Sequence, residues 1–93
     1  MIYNDKIEKV KNYIYSMNLG DIAKGSKVNE EVKSDDKIVR LSTSCSCTGV
    51  LLDENNSIII EPKTEKTGSF MPRVSITTEK GVTYYINVKY KVV

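Results

Sequence analysis

The sequence predicts an all-β domain: a sandwich of about seven short strands, preceded by a short N-terminal helix or arm. Three observations predict it. Val82, Tyr84, Ile86, Val88, Tyr90 and Val92 alternate with Thr83, Tyr85, Asn87, Lys89 and Lys91. This period of two puts one set on each face of a long strand. Elsewhere, short apolar runs are punctuated by Gly, Asn, Asp and Ser clusters roughly every 8–12 residues, the rhythm of strands joined by turns. Finally, 93 residues with 40% hydrophobic content support one domain, which buries roughly two-thirds of its unfolded surface in a two-layer core.

Residues 1–17 carry two patterns. Ile7, Val10, Ile14 and Met17 recur at helical spacing with Lys and Glu between them, whereas Tyr13-Ile14-Tyr15 is β-prone. The reading is a short helix or arm within residues 1–11, spanning 4–11, and a first strand over about 12–18, which opens the sandwich domain of residues 12–93. Gly20 to Gly25 reads as a turn-rich connection. Val28 and Val32 mark a half-exposed strand, and Ser34-Asp35-Asp36 a turn. A strand over 37–43 follows, with Val39, Leu41 and Thr43 on one face in line with Cys45 and Cys47, ending in a turn at Thr48-Gly49. Val50-Leu51-Leu52 is a short strand. The loop Asp53-Glu54-Asn55-Asn56 follows, and Asn55-Asn56-Ser57, though it fits a glycosylation sequon, reads as turn. Ile58, Ile59 and Ile60 in a row suit a strand covered on both faces. Residues 62–68 form a polar loop. Phe70, Pro72, Val74 and Ile76 then share a face, with Pro72 marking an edge or a bulge near the strand start. Glu79-Lys80-Gly81 closes a hairpin with the last strand, Gly81 supplying the left-handed turn conformation. Strand number and spacing together describe a sandwich of immunoglobulin type.

Composition narrows function. A net charge of +2 with lysines interleaved among acids leaves no basic stripe for nucleic acid. No apolar run is long enough to cross a bilayer. With no histidine, Ser-His and Cys-His nucleophiles cannot be assembled from this chain, and two thiols fall short of a zinc site. The expectation is a protein without catalytic residues or cofactor. The start Met-Ile-Tyr-Asn-Asp-Lys lacks the basic and apolar regions of a signal peptide, which predicts the cytoplasm of the producing cell, where thiols stay reduced.

Cys45 and Cys47 have two readings. They fill the core beside Val39 and Leu41, or they form a soft-metal or redox-binding pair. A disulfide across so short a spacing would be strained, and no neighbouring Lys or His in the sequence lowers a thiol pKa. Asp35-Asp36 and Asp53-Glu54 lack the spacing of a calcium loop. Tyr84 and Tyr90 fall on the core face of the last strand. Tyr85, opposite, and Tyr3, Ile7 and Val10 of the arm are candidates for binding a partner.

The run Leu19-Gly20-Asp21-Ile22-Ala23-Lys24-Gly25-Ser26-Lys27-Val28 resembles the opening of a bacterial and phage immunoglobulin-like family of unknown function. That family's hallmark is Ser-Cys-Gly-Cys-Thr; here Ser44-Cys45-Ser46-Cys47-Thr48 matches it except at Ser46. Glu61-Pro62, Gly68-Ser69-Phe70 and the 73–92 hairpin follow in the family's order, so the resemblance covers about residues 12–93. It implies an immunoglobulin-like fold and no catalytic residues. Many members are exported, whereas this chain shows no export signal. The resulting expectation is a structural, protein-binding module: an accessory or decoration protein on a phage particle, whose partners are other proteins such as a capsid, located in the virion or the producing cell's cytoplasm.

Overall fold

The computed structural model describes residues 1–93. Its strands are β1 (Ile2–Tyr3), β2 (Ile7–Lys11), β3 (Ile14–Ile22), β4 (Glu30–Ser34), β5 (Ile38–Thr43), β6 (Thr48–Leu52), β7 (Ser57–Pro62), β8 (Gly68–Phe70), β9 (Arg73–Thr78) and β10 (Thr83–Val92). One sheet runs β1-β4-β7-β6. The other runs β2-β3-β10-β9-β5, with β8 also paired to β10. Every neighbouring pair is antiparallel except β3 with β10. The two sheets pack as a sandwich around Ile2, Val32, Ile58 and Ile60 from the first and Met17, Val74, Ile76, Ile86 and Val88 from the second. Each such side chain contributes about 1.5–3 kcal/mol through removal from water.

β10 behaves as its alternation requires. Tyr84, Ile86, Val88, Tyr90 and Val92 are buried, and Lys89 and Lys91 are exposed. It joins β9 through the expected tight turn: the Gly81 amide donates to the Thr78 carbonyl (3.0 Å), and Gly81 has φ +79°.

The N-terminal segment forms two strands, β1 and β2, so of the short helix or arm expected over 4–11 the helix is absent. A helix of about two turns is marginal alone, whereas β2 gains backbone partners along β3. Its apolar stripe is divided: Ile7 lies opposite Met17, while Val10 is displaced at a bulge between Lys9 and Lys11 and is 58% exposed. Residues 1–11 therefore supply a strand to each sheet, with Ile2 in the core.

Four further expectations are corrected. The first long strand continues through Gly20 to Ile22, because a bulge against Lys89 and Tyr90 absorbs Leu19 and moves the buried positions from Tyr15 and Met17 to Ile22. In β5, a bulge between Ile38 and Arg40 puts Ile38 inside and leaves Val39 58% exposed. The expected core row from Val39 to the thiols is therefore broken at its first member. Thr48 and Gly49 start β6 rather than forming a turn; the chain reverses at Ser46 and Cys47. Pro72 falls in the break between β8 and β9, so the expected 70–77 strand is two strands.

Asn55 and Asn56 lie in a turn that leads into β7 at Ser57. The Asp53 carboxylate accepts from the amides of Asn55 and Ser57, both at 2.9 Å. Asn56, at φ +62°, accepts from the Ile38 amide and donates to the Asp36 carbonyl, both at 2.9 Å. It ties the β6–β7 turn to the start of β5.

Candidate functional site

The turn between β5 and β6 is where the chain crosses from one sheet to the other, and both cysteines lie in it. They are joined to each other as a disulfide, contrary to the expectation of two free thiols packed in the core. Both are half-buried. Their reversal brings the two sulfurs together, with Cα atoms 5.2 Å apart, within the span a disulfide bridges. Cys47 is firmly placed. Its carbonyl accepts from the Lys63 amide (2.9 Å) and from the Tyr90 hydroxyl (2.8 Å). The Cys47 amide donates to Cys45 Sγ at 3.1 Å. Below the turn, the Phe70 ring stacks on Tyr90 at 5.2 Å between centroids.

The disulfide opens onto a cleft of about 340 Å³ lined by Cys45, Ser46, Cys47, Lys63, Glu65, Lys66 and Phe70. No Lys or His flanks the cysteines in the sequence, but the fold brings Lys63 and Lys66 into their cleft. The proximity of Lys63 follows from register. In the β6–β7 hairpin, Thr48 pairs with Pro62, so the residue before Thr48 meets the residue after Pro62. The signal was present in the sequence: two apolar runs around a four-residue loop define that register once they are paired.

A second cluster gathers the start of the chain. Met1, Lys9, Asn12, Tyr13, Tyr15 and Tyr84 line a shallow cleft of about 220 Å³. Tyr13, in the β2–β3 turn at φ +67°, sets its ring edge-on to Tyr84 at 5.6 Å. The Met1 amino group donates to the Tyr84 hydroxyl (2.9 Å), and the Met1 carbonyl accepts from the Asp35 amide (3.1 Å). Burial, reinforced by Tyr15 and Asp36, pushes the Tyr84 phenol above its ordinary value. The Tyr3 hydroxyl donates to the Asp35 carboxylate, and that bond holds its pKa up as well.

The four residues singled out for partner binding divide among different surfaces. Tyr3 and Val10 are exposed. Ile7 is half-buried against the core. Tyr85 lies on the outer face of the six-stranded sheet, with the Arg73 guanidinium 5.2 Å from its ring centroid, a cation–π arrangement. Sequence reasoning missed Tyr13 and Met1, both exposed beside that end. The β-prone run Tyr13-Ile14-Tyr15 predicts a strand, and the placement of Tyr13 at a positive-φ turn has no local sequence signature. No helix is long and apolar enough to cross a membrane, and no three His, Cys, Asp or Glu side chains gather where they could hold a metal ion.

No family model, curated protein or solved structure matches this chain.

Proposed function

We propose that this chain is a non-enzymatic structural module that acts by binding another protein, as an accessory or decoration protein of a phage particle, and that its sandwich is immunoglobulin-like. The strand order supports the fold reading. The order β1-β4-β7-β6 against β10-β9-β5 follows the A-B-E-D and G-F-C sheets of an immunoglobulin domain, with β3 flanking the last strand. The Ser44-to-Thr48 motif supports the phage-family resemblance, and the step from fold to role is analogy.

One observation carries the binding reading. Met1, Tyr3, Val10 and Tyr13 are large apolar side chains exposed within the first thirteen residues, on segments fixed by pairing to both sheets. Tyrosine anchors on a rigid frame lose little conformational freedom on binding, which favours affinity. Assembly would take place in the producing cell's cytoplasm and end in the virion.

The test is co-sedimentation with particles from the producing culture, with the bound protein identified. Stoichiometric recovery with capsid protein is expected for the wild type, and loss of it for Val10→Asp and for Tyr13→Asn. Both side chains are exposed, and asparagine tolerates the left-handed conformation at position 13. Recovery only as a free small protein would overturn the reading.

A further inference from the structure

We propose that the Cys45–Cys47 disulfide is exchange-active, accepting electrons from carboxylate-bearing low-molecular-weight thiols that enter the cleft between the β5–β6 turn and the β7–β8 loop. This goes beyond the protein-binding reading and does not rest on it.

The bridge contributes little as a staple. It spans a sequence separation of 2, and closing so short a loop removes little entropy from the unfolded chain. The core is complete without it, being built from aliphatic and aromatic side chains of both sheets. The two cysteines are instead half-buried residues lining a cleft open to solvent, the setting of labile rather than structural disulfides.

The surroundings suit the chemistry of exchange. Cys47 is anchored through its carbonyl by Lys63 and Tyr90, and its amide points at Cys45 Sγ. A negative charge formed on Cys45 therefore meets a donor already in place. Lys63 and Lys66 add two ammonium groups to the same cleft, Glu65 opposes them, and Phe70 gives one apolar wall. Lysines beside a sulfur favour its thiolate and draw in anionic reactants. A thiol carrying carboxylates fits that charge; a cationic thiol does not.

The steps balance. A thiolate attacks Cys47 Sγ, forming a mixed disulfide there while the old S–S bond breaks and its electron pair leaves on Cys45 as thiolate. A second thiolate attacks the small-molecule sulfur of that mixed disulfide, releasing a symmetrical disulfide and the Cys47 thiolate, and both thiolates then take protons from solvent. Two thiols are oxidised and the protein disulfide is reduced by two electrons. In the reverse direction, Cys45 closes on Cys47 and expels the bound thiol.

The experiment uses the full chain, oxidised with excess glutathione disulfide, and follows free thiols by alkylation and mass. Reduction by glutathione and by cysteamine is timed, and each rate is divided by that of the same thiol on an oxidised Ser-Cys-Ser-Cys-Thr peptide. This normalisation removes the intrinsic reactivity of each thiol. The expected result is a ratio for glutathione about threefold or more above that for cysteamine. Lys63→Gln/Lys66→Gln should abolish the preference and Glu65→Gln should increase it. All three side chains are exposed, so the variants keep the fold, and circular dichroism checks this. A disulfide that cannot form with glutathione disulfide, that resists both thiols, or that reacts with equal ratios in wild type and variants would overturn the proposal.

Discussion

Tyr84 shows how one side chain ties chemistry to stability. Its ring is buried between Tyr13 and Tyr15, and its hydroxyl accepts from the Met1 amino group. Burial disfavours the phenolate, so the folded-state pKa lies above the ordinary value of 10.0. The folded state then holds that proton more tightly than the unfolded chain. The contribution is fully present below about pH 10 and is lost as pH rises through the raised folded value. Tyr3, raised by its bond to Asp35, acts in the same direction. The urea midpoint is therefore expected to fall on going above about pH 10, and Tyr84→Phe should flatten part of that fall. An identical alkaline profile in the variant would mean that other groups carry it. The faces of the two core tyrosines of β10 were legible from alternation alone. The cluster around Tyr84 was not, because Met1 and Tyr13 reach it from different turns.

Among the elements, the bulges in β2, β3 and β5 decide which side chains face inward. Each inserts one residue against its partner and reverses the alternation beyond it. In β5 this exchanges the roles of neighbours: Ile38 is 3% exposed and Val39 is 58%. Ile38→Ala is expected to cost about 2–5 kcal/mol, as other large-to-small core changes do. Val39→Ala should stay within about 0.5 kcal/mol. Urea denaturation of both variants checks the register; a costly Val39→Ala with a silent Ile38→Ala would place the bulge elsewhere. The sequence reading put Val39 inside because uninterrupted alternation is the simplest pattern. A bulge is set by pairing to Thr77 and Thr78, and nothing within residues 37–43 reveals it.

Considered as a whole molecule, the sandwich is closed partly by its own beginning. β1 pairs with β4 in one sheet, and β2 covers β3 in the other. Removing residues 1–11 takes Ile2 out of the core and leaves Ile14–Met17 of β3, the part that β2 covers, as an unpaired edge, a template for association. The truncated chain should lose at least about 2 kcal/mol of stability and elute as a larger species in size-exclusion chromatography. A monomer with an unchanged urea midpoint would show that these strands are accessory. The same segment bears the exposed residues proposed to bind a partner, so attachment is best tested with point variants such as Val10→Asp.

The sequence by itself determined the all-β class, the two faces of β10, the Gly81 hairpin and the turn at Asn55-Asn56. Each follows from period-two alternation or from a residue's own backbone preference, both of which are local. Tertiary structure alone decided that residues 7–11 extend along β3 and that Val39 and Val10 turn outward. It also decided that Cys45 and Cys47 are bridged and that their turn faces Lys66 and Phe70 across one cleft; the Lys63 neighbour alone follows from the hairpin register. The reason is physical: bulges and cross-strand neighbours are properties of a pair of strands, and their energies exist only once the pairing register is made.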